Sequence, residues 1–218
     1  VRNLAGHLIC FTDKTVDGGA PLAKDSIGAI RLPAGVPLGF LGETISKTGG
    51  EQYVMLSGLD WMSFRLANAY GPRNLSGPLP TFYHRLTRQK ACFVMDTRRD
   101  FIFVDDLVAV VMKAIDGAGT SGAYHISSGS DVSIKQLFDA TTKALGVTLE
   151  KDVEVRPRSA DDVATILLDP SCTEKVFDWK AGTPLETGVA AAVAWYKKFG
   201  IQQTFTHLKP VEAKKPAA

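Results

Sequence analysis

Few residues in this chain have a type and spacing suited to chemistry, and most of those spacings exclude a reaction class. The adjacent carboxylates Asp105-Asp106 are of the right type for a metal site or for a glycosidase acid pair. Neighbouring residues on a helix do not face each other, so they read instead as the N-cap of a helix after Val104. The histidines, His7, His84, His125 and His207, show no His-Glu-x-x-His pattern and no paired ligand spacing, so no metal is expected. Cys10, Cys92 and Cys172 are odd in number and far apart. They point to reduced thiols rather than a disulfide framework or a zinc site. No Gly-x-Ser-x-Gly elbow is present, which leaves a serine hydrolase without its nucleophile. No Gly-x-Gly-x-x-Gly or Gly-x-x-Gly-x-x-Gly loop follows a predicted strand, and Gly18-Gly19 and Gly49-Gly50 lack that spacing. Such a loop lets backbone amides and a helix N-terminus approach a pyrophosphate.

The whole chain narrows the classes further. Its 218 residues carry 25 basic and 23 acidic side chains, a net charge of +2, with no long Lys/Arg stripe, so nucleic acid is not the expected partner. Apolar residues make up 45% and charged residues 22%, the balance of an ordinary globular protein able to bury a sizeable core. The apolar run 189–196 is far shorter than the roughly 20 residues of a bilayer span, so no membrane partner is expected. Residues 1–6 show no basic segment leading into an apolar core, and no signal peptide is read there. The expected compartment is the cytoplasm.

The elements that must position any site alternate between strand and helix, which indicates an α/β fold. Residues 1–42 show no sustained period. A helix is expected over Ser46–Leu59, weakened by Gly49-Gly50, and a strand over Trp61–Ala67. A helix over Thr81–Gln89 follows Pro80. Short strands are expected at Ala91–Met95 and Phe101–Val104, then a helix with Leu107, Val110, Val111, Ala114 and Ile115 on its inner face. Tyr124–Ser127 reads as a strand, and Ser133 caps a helix carrying Ile134, Leu137, Phe138 and Leu145. Val153–Arg156 and Thr165–Leu168 read as extended. Ser171-Cys172-Thr173-Glu174 fits a capping box, and Pro184 opens a last helix that buries Leu185, Val189, Ala192, Val193 and Tyr196.

Four segments, in this order, resemble one family: Phe64-Arg65-Leu66-Ala67-Asn68-Ala69-Tyr70-Gly71-Pro72-Arg73; Arg99-Asp100-Phe101-Ile102-Phe103-Val104-Asp105-Asp106; Tyr124-His125-Ile126-Ser127-Ser128-Gly129 with Val132-Ser133-Ile134; and a stretch from Asp169 through Phe177-Asp178-Trp179-Lys180 to Trp195-Tyr196. From about Ser46 to Gly200 the chain is similar to the NAD-dependent nucleotide-sugar epimerases and dehydratases of the extended short-chain dehydrogenases, in their C-terminal two-thirds. The resemblance implies a partial Rossmann-like parallel sheet with a small C-terminal substrate-binding region. It divides the chain into a poorly matched remnant (1–45), the rear of the Rossmann sheet with the substrate region (46–200), and a C-terminal extension (201–218).

The resemblance also assigns expected roles. Lys47, within Ser46-Lys47-Thr48-Gly49-Gly50-Glu51, matches the family lysine that holds the nicotinamide ribose and lowers the pKa of a tyrosine one helical turn earlier. Positions i and i+4 share a helix face, and a nearby cation favours the phenolate. Here Glu43 stands four residues before Lys47, and Tyr53, six residues after it, points about 120° away on a helix. Ala67 matches the backbone beside the nicotinamide. Asn68, whose amide both donates and accepts, matches the sugar-diphosphate contact. Arg99 and Arg158 match the arginines that hold the diphosphate, where a planar guanidinium suits phosphate; a salt bridge to Asp100 or a neighbour is the other reading of Arg99. Phe93 matches a strand beside the base, and the amides of Leu79 and Thr81 could meet phosphate. The implied cofactor is NAD, the partner a nucleoside diphosphate sugar, and the assembly a homodimer. The first βαβ unit of such a protein is absent from this sequence. The resemblance therefore fits an incomplete enzyme or, as a second reading, a non-catalytic nucleotide-sugar binding module.

Overall fold

A computed structural model describes residues 8–13, 38–158 and 162–204, with side chains from residue 47 onward. The fold is α/β. Three parallel strands form one sheet in the order β1 (Leu8–Asp13), β2 (Trp61–Leu66), β6 (Gly122–Ile126). Leu8 stands opposite Trp61, and Met62 opposite Gly122. The helix α1 (Leu38–Met55) precedes β2. Beyond Ala67 the chain pairs again as β3 (Asn68–Tyr70), parallel to β5 (Arg98–Phe103). β7 (Asp131–Ser133) joins β5 antiparallel, and β9 (Thr165–Ile166) joins it in parallel. β4 (Phe93–Met95) pairs with β8 (Glu154–Arg156).

Alternation along β5 builds two cores, because successive side chains point to opposite faces. Ile102 packs with Met62, Phe64, Val110, Tyr124 and Phe177, under α3 (Val104–Ile115) and α5 (Ser171–Phe177). Phe101 and Phe103 pack with Tyr70, Leu79, Phe138, Val189 and Tyr196, under α2 (Pro78–Leu86), α4 (Ile134–Leu145) and α6 (Leu185–Phe199). Among the described residues no helix is long and apolar enough to cross a membrane.

Local chemistry explains the helix ends. Ser133 accepts the Gln136 N–H and Gln136 returns a bond to the Ser133 N–H, a closed capping box, and Gly146 ends α4 at φ 72°. Two expected caps are corrected. Phe103, not Asp105 or Asp106, is the N-cap of α3; the two acids lie in its first turn, where the helix dipole favours them. At α5 the N-cap is Pro170, without a side-chain cap. The Asp169 carboxylate instead takes the Ser171 N–H at 2.9 Å, which displaces the expected Ser171–Glu174 box.

Candidate functional site

Two of the candidate residues, Ala67 and Asn68, lie where β2 gives way to β3. The Ala67 N–H donates to the Ile126 carbonyl at 2.9 Å, and Ala67 is buried, which ties the crossing from one sheet to the next to the end of β6. Asn68 opens β3 opposite Phe101. Arg99 lies two residues before Phe101 and therefore on the same face as Asn68. The Arg99 guanidinium is mostly buried. Its Nη2 donates to Asp162 Oδ1 at 2.5 Å, and its Nη1 donates to the carbonyls of Val163 and Arg98. Arg158 Nη1 donates to the Asp162 carbonyl at 3.0 Å. Both arginines thus meet at Asp162, a residue outside the candidates read from the sequence. The expected alternative partner, Asp100, is not the one Arg99 uses.

Asp100 is fully buried and takes the N–H of Ser128 at 3.1 Å, the Ser128 hydroxyl at 2.8 Å and the Leu168 N–H at 3.4 Å. Burial pushes its carboxyl above the usual carboxylate range, and these donors only partly oppose the shift. It ties the loop after β6 to the strand that carries Arg99. Phe93 joins the same region through β8, with the Arg156 guanidinium 3.9 Å over its ring, two residues before Arg158. Asn68, Arg99, Arg158 and Phe93 are therefore linked through contiguous elements.

Leu79 and Thr81 stand apart in side-chain terms. Leu79 belongs to the core, and the Thr81 hydroxyl donates to the Gly77 carbonyl at 2.8 Å. At the start of α2 the Leu79 amide is one of the first N–H groups, which have no partner within the helix, whereas the Thr81 amide stands four residues after the Gly77 N-cap, where the helix's own ladder begins. Lys47 is half-buried in α1, and Glu43 lies in the same helix with its side chain outside the described set. Tyr53 is 85% exposed, turned away as its offset from Lys47 predicts. One turn after Lys47, Glu51 is buried, taking Arg65 Nη2 at 2.6 Å and the Ser63 hydroxyl at 2.8 Å. This anchor of α1 on β2 escaped the sequence reading, because it joins residues 12 and 14 apart on different elements.

The stretch Gly117-Ala118-Gly119-Thr120-Ser121-Gly122 has Gly-x-Gly-x-x-Gly spacing but runs from α3 into β6, the reverse of the strand-to-helix order that presents amides to a phosphate. A Cβ on Gly119 would stand 2.6 Å from the Phe177 ring, so this glycine serves packing.

Residues 44–127 match the NAD dependent epimerase/dehydratase family. UDP-glucose 4-epimerase of Mycolicibacterium smegmatis is 28% identical over 163 residues, covering 69% of this chain and 51% of that protein. UDP-arabinose 4-epimerase 1 of Arabidopsis thaliana is 35% identical over 102 residues, covering 45% of this chain and 24% of that protein. The chain thus spans about half of the first of these relatives and about a quarter of the second. Among solved structures, the Bordetella bronchiseptica enzyme WbmH in complex with NAD+ is 44% identical, with TM-score 0.74 over 88% of this chain and 62% of that one. WbmG of the same organism, in complex with NAD and UDP, is 37% identical, with TM-score 0.76 over 93% and 64%.

Proposed function

We infer that this chain, a relative of the NAD-dependent epimerases and dehydratases, is the nucleotide-sugar-binding part of such an enzyme. The observation that carries the reading is the convergence of Arg99 and Arg158 on Asp162, on the β5 face that Asn68 shares. Two guanidinium groups there suit a diphosphate, which would replace the Asp162 carboxylate at Arg99 and the Asp162 carbonyl at Arg158. Asn68 would take sugar or phosphate oxygens, Phe93 would flank the base, and the Leu79 amide would meet the phosphates, with Thr81 in the same first turn of α2.

The cofactor fit is partial. Lys47 and the Ala67 backbone can border a nicotinamide ribose. No glycine loop between a strand and a following helix cradles the pyrophosphate among the described residues. NAD, when bound, accepts a hydride from a sugar carbon. The hydroxyl on that carbon must then lose its proton to a base. Glu43 holds the position where the family places a phenol. A carboxylate is a group that can accept such a proton.

The division at residues 45 and 200, a cytoplasmic location and a homodimer belong to the same reading. Exposed Tyr53 and Leu56 on and after α1 are consistent with a partner surface. The second reading, a non-catalytic binding module, is favoured by Glu43 standing in place of the phenol. Calorimetry with NAD and with UDP-sugars, together with nicotinamide absorbance, separates the two. An absorbance change on adding a UDP-sugar to the chain with NAD supports the enzyme. UDP-sugar binding without NAD binding supports the module. Binding of neither refutes both.

A further inference from the structure

A cavity of about 250 Å³ lies between β5, the loop after β6 and the residues leading into α6. Tyr70, Phe101 and Phe103 contribute apolar wall, and Asp106, Ser130 and Leu185 are among the other residues that line it. Tyr70 is only 4% exposed. Its hydroxyl abuts Gly188, where any Cβ would collide with it, and makes no hydrogen bond to another described residue. Burial, with the carboxylates of Asp106 and Glu186 nearby, pushes this phenol well above its ordinary pKa, so it stays protonated and is a donor in need of an acceptor. A buried phenolic hydroxyl ordinarily has a partner.

The remaining polar groups narrow what that partner can be. One Asp106 oxygen takes the Thr183 N–H at 3.0 Å, and the other can accept from a ligand. The Ser130 hydroxyl lies 3.3 Å from that of Ser128 and can donate or accept. An anion would be repelled by Asp106 and Glu186. An ammonium group has only donors and would leave the Tyr70 O–H without an acceptor. A hydroxyl group meets both demands, accepting from Tyr70 while donating to Asp106. The volume equals about eight water-sized groups at roughly 30 Å³ each.

We propose that this cavity binds a small neutral polyol through Tyr70, Asp106 and Ser130, with its carbon chain against Phe101 and Phe103. The proposal stands apart from the nucleotide-sugar reading, since none of Lys47, Ala67, Asn68, Phe93, Arg99 or Arg158 lines the cavity.

The test titrates the labelled chain with erythritol, a polyol of this size, and follows the amide resonances of Ser130, Val132 and Leu185. The expected result is a saturable shift in the millimolar range. Tyr70→Phe keeps the ring and its packing, and should weaken binding about threefold to tenfold, the range of one neutral hydrogen bond. Asp106→Asn retains an oxygen for the Thr183 N–H and should also weaken binding. Butylammonium and butyrate, at matched concentration, should bind more weakly than erythritol. Non-saturable shifts, Tyr70→Phe binding like the wild type, or butylammonium binding as tightly as erythritol would each overturn the proposal.

Discussion

The anchor of α1 on β2 allows a quantitative prediction. Glu51 is 3% exposed in its side chain and Arg65 20%, with Nη2 to Oε1 at 2.6 Å and Nε to Oε2 at 3.2 Å. The Ser63 hydroxyl, fully buried, gives Glu51 a third donor. Glu51→Met leaves a guanidinium without this carboxylate and removes the acceptor of a buried hydroxyl. Breaking a buried pair from one side costs about 3–5 kcal/mol. The partial exposure of Arg65 lets water recover some of that, and the orphaned Ser63 adds about 1 kcal/mol. A net loss of about 3 kcal/mol follows, or a Tm about 6–12 °C lower in a chain of this size. Paired apolar replacement of buried ions is often neutral, so Glu51→Met with Arg65→Leu should recover more than half of the loss. Urea denaturation followed by circular dichroism reads both variants. A single-variant loss under about 1 kcal/mol, or a double variant less stable than the single one, would refute the view that this ion pair holds α1 in place.

Three further outcomes follow from the packing and charges. Gly188→Ala places a Cβ 2.8 Å from Phe103 Cδ2 and from Tyr70 Cζ; overpacking should cost about 1–3 kcal/mol, read as a lower urea midpoint. Ser133→Ala opens the capping box of α4 and should cost about 1 kcal/mol, measurable the same way. Burial holds the Asp100 carboxyl above its ordinary value, so the folded protein binds this proton more tightly than the unfolded chain. The stability from that proton is present at low pH and lost as pH rises through the raised value. Relative to Asp100→Asn, which cannot titrate, the wild type should be most favoured at the acid end of a pH 3–7 series of urea midpoints. A difference independent of pH would contradict the raised value.

Legibility in the sequence followed the range of the interactions. α4 could be read from Ser133 and from the apolar spacing through Ile134, Leu137, Phe138 and Leu145, because all of these act within a few residues. α6 was legible for the same reason, and Val189, Ala192, Val193 and Tyr196 are buried as expected. β1, β3 and β7 were not. Leu8–Asp13 is an apolar run too short to distinguish strand from helix by period, and it is defined by pairing with β2. Asn68–Tyr70 and Asp131–Ser133 are three-residue strands that exist through β5. α1 begins at Leu38, ahead of the expected Ser46, across a stretch with no amphipathic signal. In the candidate site, Arg99 and Arg158 were visible by residue type. Their meeting at Asp162 depends on a contact 63 residues apart along the chain from Arg99, which no local pattern encodes. Asp100 was likewise read as a possible partner of Arg99, whereas burial and the Ser128 donors claim it.

The central claim is that Asn68, Arg99 and Arg158 form one cradle for a diphosphate. A crystal structure of the chain soaked with UDP tests it most directly. The account predicts diphosphate oxygens within hydrogen-bond reach of both guanidinium groups and of the Asn68 amide, with Asp162 turned away from Arg99. UDP bound elsewhere, or an Arg99–Asp162 pair unchanged beside bound UDP, would contradict it.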